Sequence, residues 1–191
     1  MSFIQSDTWY ILGGGKSAQK YLNLPLYPVL TLNAAVGYYQ GAATTCLDRH
    51  FATKDYQKEW EALGKNAHAM FRVANKCIMD YATVWPICNG EKPQKDKFIH
   101  NGKTCGLSAI SLVVWGLRIP DKPVTIYLLG YDMDEANENW MGTKIVPRHH
   151  RDRIISEFGT WAEEWASWGD VHIYNTNPAS ALKCFPIREI T

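Results

Sequence analysis

The chain has 191 residues, 46% of them apolar and 20% charged, with 20 Lys plus Arg against 19 Asp plus Glu. That length suits one core and that composition a folded protein, so the expectation is a single domain over residues 1–191. Near-zero net charge excludes a broad electrostatic drive toward nucleic acid, leaving only a local basic cluster from Arg148 to Arg153.

The segment Met1 to Asp7 is polar, with no basic n-region or small-residue cleavage site, and the longest apolar run, Leu107 to Leu117, is too short to span a bilayer. A cytoplasmic protein with no membrane span is expected. Five cysteines, at 46, 77, 88, 105 and 184, form no C-x-x-C pair, so they read as reduced thiols rather than a disulfide framework or a zinc site.

In chain order, Trp9 to Leu12 is a short apolar strand that stops at Gly13-Gly14-Gly15 and is followed by a helix-prone Lys16 to Lys20. Pro28 to Leu32 ends at Asn33, and Ala43 to Leu47 ends at Asp48, each strand closing on a polar residue. From Asp55, the apolar stripe Tyr56, Trp60, Leu63 predicts a helix closed by Gly64. His68 to Val73 and Cys77 to Val84 read as strands or extended connections, and Asn89 to Asn101, rich in Lys, Gly and Pro, as loop.

Gly106 to Leu117 carries apolar residues at helical spacing nearly all round, the pattern of a helix buried against a sheet, ending near Pro120. The β-branched run Val124 to Leu129 reads as a strand in the middle of a parallel sheet, terminated by Gly130-Tyr131-Asp132. After a polar loop holding His149-His150, Asp152 to Trp168 repeats Ile154, Phe158, Trp161, Trp165 and Trp168 at spacings of four and three, a long helix with an aromatic core stripe. Val171 to Tyr174 is the last strand, and Asn175-Thr176-Asn177-Pro178 a turn able to start a short helix at Ala179 or Ser180. Strands alternating with helices imply right-handed crossovers: an α/β, Rossmann-like domain with an open, mostly parallel sheet and helices on both faces.

In such sheets ligands bind beyond the carboxyl strand ends. Glycine in the first turn lets backbone approach a ligand, and the helix start that follows offers amides to phosphate, which makes Gly13, Gly14, Gly15 and Ser17 candidates for nucleotide binding. A tight turn with no ligand is an equal reading. A Walker A loop would need glycine where Tyr10 stands, and a dinucleotide site would need an acidic residue where Asn33 stands. His149 and His150 suit general base work by their near-neutral pKa, against the alternative of a solvated basic loop. Cys105, at a helix start, is either a reactive thiol or a small buried residue. Asp48 and Asp132 can bind ribose hydroxyls, cap loops or satisfy amides.

Taken in order, Leu12 to Ser17, Leu32-Asn33, Leu47-Asp48, Thr104 to Ile110, Ile126 to Asp132, His149-His150 and Asn177 to Ser180 resemble bacterial sialyltransferases of the Campylobacter type. They equally resemble the related Rossmann-like family that includes 6-hydroxymethylpterin pyrophosphokinases and many phage proteins of unknown function. The resemblance runs from about Tyr10 to Pro186 and is most specific from Thr104 to Asp132. It implies a nucleotide-activated donor, a CMP-sugar or similar, held by Gly13, Gly15, Ser17, Asn33, Thr104, Cys105 and Gly106. A small-molecule or glycan acceptor hydroxyl would be deprotonated by His149 or His150, with Asp132 the remaining candidate catalytic residue. Three features depart from the sialyltransferase pattern: Asp134 stands where a tyrosine follows the Gly-x-Asp aspartate, Cys105 replaces serine, and the chain is shorter. The expected function is a glycosyltransferase-like, nucleotide-dependent group transferase. The alternatives are a pyrophosphokinase acting on a hydroxymethyl substrate, with Asp48 and Asp132 helping to bind Mg2+, and a nucleotide-binding module without turnover.

Overall fold

The computed structural model describes residues 4–39, 41–46, 57–63, 66–71, 83–89, 99–101, 104–133 and 148–190. Eight strands form one sheet: β1 (Thr8–Leu12), β2 (Val29–Leu32), β3 (Ala43–Cys46), β4 (Ala67–Phe71), β5 (Thr83–Asn89), β6 (Ile99–Asn101), β7 (Val124–Leu129) and β8 (Val171–Asn175). Every pairing is parallel, in the order β6-β5-β4-β3-β2-β1-β7-β8. This is the α/β, Rossmann-like open sheet that the alternation of strands and helices implies.

The direction of stepping decides which face each connection covers, because parallel crossovers are right-handed. From β1 to β6 the chain steps one way, and the 3-10 helices η1 (Lys16–Tyr21) and η2 (Asn33–Gly37) put Ala18, Tyr21 and Ala35 against Leu12, Val29 and Leu129 on one face. Helix α1 (Gln57–Leu63) buries Trp60 and packs against β3, β4 and η2. From β6 to β8 the chain steps back, so α2 (Cys105–Leu112), its π-helical continuation Val113–Leu117, and α3 (Arg148–Ser167) cover the opposite face. There Trp9, Ile11, Leu107, Ile110, Phe158, Trp161 and Trp165 make the main core, each at most 1% exposed. Among the described residues no helix is long and apolar enough to cross a membrane.

Several expectations change. His149 and His150 lie in the first turn of α3, not in a loop before it: the helix begins at Arg148, where polar residues continue the helix beyond the point at which the apolar stripe fades. Residues 99–101, read as loop, form the edge strand β6, held by pairing to β5 rather than by its own composition. β7 is interior but second from the edge, and its Thr125 and Tyr127 are half-buried. Tyr127 stacks with Tyr10 and Tyr174 on neighbouring strands, centroids 5.2 and 5.7 Å apart. Among the described residues no helix follows β8; Asn177 and Pro178 enter a turn in which Asn177 N donates to Asn175 Oδ1 and Ala179 N to Asn177 Oδ1, both at 3.0 Å. The stretch between β4 and β5 and the segment holding Leu47, Asp48 and Tyr56 lie outside the described residues, as does Asp134.

Candidate functional site

The strand order reverses between β1 and β7, and this switch point is where an open α/β sheet forms its ligand crevice. Leu12 stands opposite Thr31 of β2 and Leu129 of β7, so the next rung at the carboxyl edge consists of Gly13, Leu32 and Gly130. The residues that leave those strands build two adjoining clusters around the side chain of Tyr131.

The first cluster joins the β1 turn to the end of β8. Asp132, 5% exposed, accepts the amide of Ser17 through Oδ2 at 2.8 Å, the hydroxyl of Ser17 through Oδ1, and Asn177 Nδ2 through Oδ1 at 2.9 Å. A Cβ on Gly15 would lie 2.6 Å from the Asp132 carboxyl carbon and from the Gly130 carbonyl, so glycine here serves this carboxylate. Three more amides of this stretch donate inward: Gly13 to Leu129 O at 2.8 Å, Gly15 to Gly130 O at 2.8 Å and Ala18 to Gly15 O at 3.0 Å. Thus the amides of Gly13, Gly15, Ser17 and Ala18 face acceptors of the chain itself, and a carboxylate already occupies the start of η1. Gly14 stands half-buried at the apex of the turn.

The second cluster is formed by the end of β2 and the start of α2. Thr104 caps α2, its Oγ1 accepting the Leu107 amide at 3.2 Å, which fixes where the helix begins. Cys105, next in the chain, donates its thiol to Asn33 Oδ1 at 3.1 Å. Asn33 leaves β2 at φ 51, a left-handed conformation that asparagine tolerates better than most residues. First-turn amides of a helix have no intrahelical acceptor, so the α2 start retains the anion-binding character that the β1 turn has lost to Asp132.

Tyr131 separates and braces the two clusters. A Cβ on Gly13 would lie 3.3 Å from one side of its ring and a Cβ on Gly106 would lie 2.9 Å from the other, so both glycines are explained first by close packing on Tyr131. Its hydroxyl donates to Gly106 O at 3.3 Å. Burial, with Cys105 adding to it, holds this phenol well above its ordinary pKa, so it stays neutral and acts as a donor. Asn175, Asn177 and Ser180 complete the frame: Asn175 Nδ2 and Ser180 Oγ both donate to Tyr131 O, at 3.4 and 2.6 Å.

No match to this chain is found among protein-family models, curated proteins or solved structures. Function therefore rests on geometry alone.

Helix α3 returns antiparallel to the strands, so it starts beyond the carboxyl edge and descends along the sheet. Phe158 meets Tyr131 edge-on at 6.0 Å and faces Gly106, which places it beneath the start of α2. His150 precedes Phe158 by two steps of four through Ile154, the inward stripe of the helix, and at 1.5 Å per residue it stands about 12 Å farther out along the axis. Its ring is half-buried, with Nδ1 3.3 Å from an Arg153 guanidinium nitrogen. The His149 side chain lies outside the described residues.

Of the candidates, the structure brings together Gly13, Gly15, Ser17, Asn33, Thr104, Cys105, Gly106 and Asp132, with His150 on the helix above. Asp48 lies outside the described residues. Asn177 and Tyr131 stand in the sequence as parts of the turns after β8 and β7 without a role assigned to either, and the structure gives both a part in the frame. A different concavity, open to solvent, runs beside β8 between Trp165, His172 and Cys184. Burial pushes the Cys184 thiol up to about 11, partly offset by the backbone amides of Cys184 and Phe185, so it is no nucleophile at neutral pH.

Proposed function

We propose that the crevice at the carboxyl edge takes a nucleotide-activated donor and that the protein is a glycosyltransferase-like group transferase. The observation that carries this reading is the convergence, at the β1/β7 switch point, of Asn33, Thr104 and Cys105 with the Tyr131–Asp132 corner beneath the start of α3. Phosphate would sit at the α2 start, where first-turn amides and the helix dipole favour an anion, rather than on the glycine turn. Asp132 holds the β1 turn and the Asn177 loop in place and so shapes the crevice wall.

His150 is the general base in this reading. It takes the proton from an acceptor hydroxyl as the new C–O bond forms, while the bond from the donor carbon to the phosphate oxygen breaks and the nucleotide leaves with that electron pair. A cytoplasmic address, with Cys105 reduced, accords with the reading.

Thermal denaturation with CMP, CMP-sialic acid, UDP-sugars, ATP and GTP, each with and without Mg2+, tests it, since a ligand of the native state raises apparent stability. A stabilising shift with a nucleotide in the absence of Mg2+ is expected, and His150→Ala should keep the shift while losing donor turnover. No shift with any of them sinks the proposal, and a shift only with triphosphate plus Mg2+ moves it to pyrophosphoryl transfer.

A further inference from the structure

Beyond β8 the chain crosses from one face of the sheet to the other. Leu182 and Phe185 are buried in the core that α3 covers, whereas Arg188 lies on the opposite face, its guanidinium 5.2 Å from the ring of Tyr174 and 5.8 Å from that of Tyr127. Ile190 follows and packs against the cluster that holds Leu12, Tyr21 and Leu129. The crossing runs over the outer edge of β8, where Asn175 N donates to Pro186 O and Arg188 N to Asn175 O, both at 3.0 Å, and Ile187 bridges Asn175 in parallel. Pro186 offers no N–H to Ile173, so this attachment stays a single bridge.

Asn175 is fully buried, and its backbone and side chain hold different things. The backbone pair grips residues 186–188. The side chain grips the Tyr131–Asp132 corner: Nδ2 donates to Tyr131 O at 3.4 Å, and Oδ1 accepts the amide of Asn177, whose own Nδ2 reaches Asp132 Oδ1 at 2.9 Å. Ala181 N closes the corner on Asp132 O at 2.8 Å. A packed residue committed at both ends moves as one piece, so a tilt of its backbone carries the side chain with it.

We propose that residues 186–190 form a strap whose docking sets the Tyr131–Asp132 corner, with Asn175 as the joint. The strap is lightly held, by two backbone hydrogen bonds, the Arg188 contact and one apolar side chain, and residues 186–189 are exposed, so it opens at a lower free energy than the sheet. Opening takes both backbone partners from Asn175, lets the end of β8 tilt, and loosens the hold of Asn177 and Ala181 on Asp132. The state of the strap on one side of β8 is thereby transmitted to the carboxyl edge. This stands apart from the nucleotide reading.

Amide hydrogen exchange on the full chain without ligand tests the coupling, with Asn175, Asn177 and Ala181 as reporters and Val124, which donates to Asp170 O at the far end of β8, as reference. Arg188→Pro removes the donor to Asn175 O together with the guanidinium, and should speed exchange about tenfold at Asn175 and about fivefold at Asn177 and Ala181, with Val124 unchanged. Arg188→Ala keeps the N–H and should give a smaller acceleration, about threefold, at the same three amides. Acceleration at Asn175 alone would leave the segment a cover with no hold on the corner and would overturn the proposal. Equal acceleration at all four amides, which would make the segment a support of the whole sheet, or no change in either variant, would overturn it as well.

Discussion

Asp132 shows how one buried side chain can join two distant segments at the carboxyl edge. Three donors from two segments end on its carboxylate, so Asp132→Ala leaves the Ser17 amide, the Ser17 hydroxyl and Asn177 facing a void. Urea denaturation should register a loss of about 2–3 kcal/mol, and a change under about 0.5 kcal/mol would mean that water replaces the carboxylate. Gly106→Ala should cost about 1–3 kcal/mol by overpacking against Tyr131, since the ring is pinned between two glycines and cannot retreat. His68 gives a signature in pH. It is fully buried on β4, and desolvation lowers its pKa to about 4. In the unfolded chain it titrates near 6.5, so the unfolded state binds the proton first; this contribution is complete above about pH 6.5 and is lost as pH falls toward 4, about 3 kcal/mol in all. Stability measured across that window should fall less steeply in His68→Asn, by about 1.4 kcal/mol per pH unit, and identical slopes would show that His68 is solvated.

Elements differ in how far their own residues announce them. β1, β7, β8 and the body of α3 were legible, because an uninterrupted apolar run or a four-three aromatic stripe reflects burial, and burial is what determines those elements. The start of α3 was not, since Arg148 to Arg151 carry no apolar periodicity and the helix continues there through its backbone hydrogen bonds. β6 was not, because a three-residue edge strand is specified by its neighbour. The aromatic stripe of α3 predicts its own test: Phe158→Ala removes the ring against both Tyr131 and Phe185, at centroid distances of 6.0 and 6.1 Å, and should cost about 3–5 kcal/mol. A loss below about 1 kcal/mol in chemical denaturation would show that α3 is not docked against Tyr131 and Phe185.

At the scale of the whole molecule, the strand order sets where the switch point lies. Individual strand ends could be read from the sequence, but not which of them stand side by side, since that depends on the one crossover that reverses direction, from β6 back to β7 beside β1. The reversal brings the β1 turn and the Tyr131–Asp132 corner together across 115 residues, and the glycines that suggested a phosphate loop serve packing first. The expected strand-end residues Gly13, Gly15, Ser17 and Asp132 gather at one edge, and there each of them first meets a partner within the chain. Backbone amide NMR during titration with CMP, UDP, ATP and GTP puts the location to the most direct test. The resonances of Gly14, Asn33, Cys105, Gly106 and Asp132 should shift together with one of the four nucleotides. Shifts confined to the Trp165, His172 and Cys184 cleft, or none at any nucleotide concentration, would contradict a nucleotide site at the β1/β7 edge.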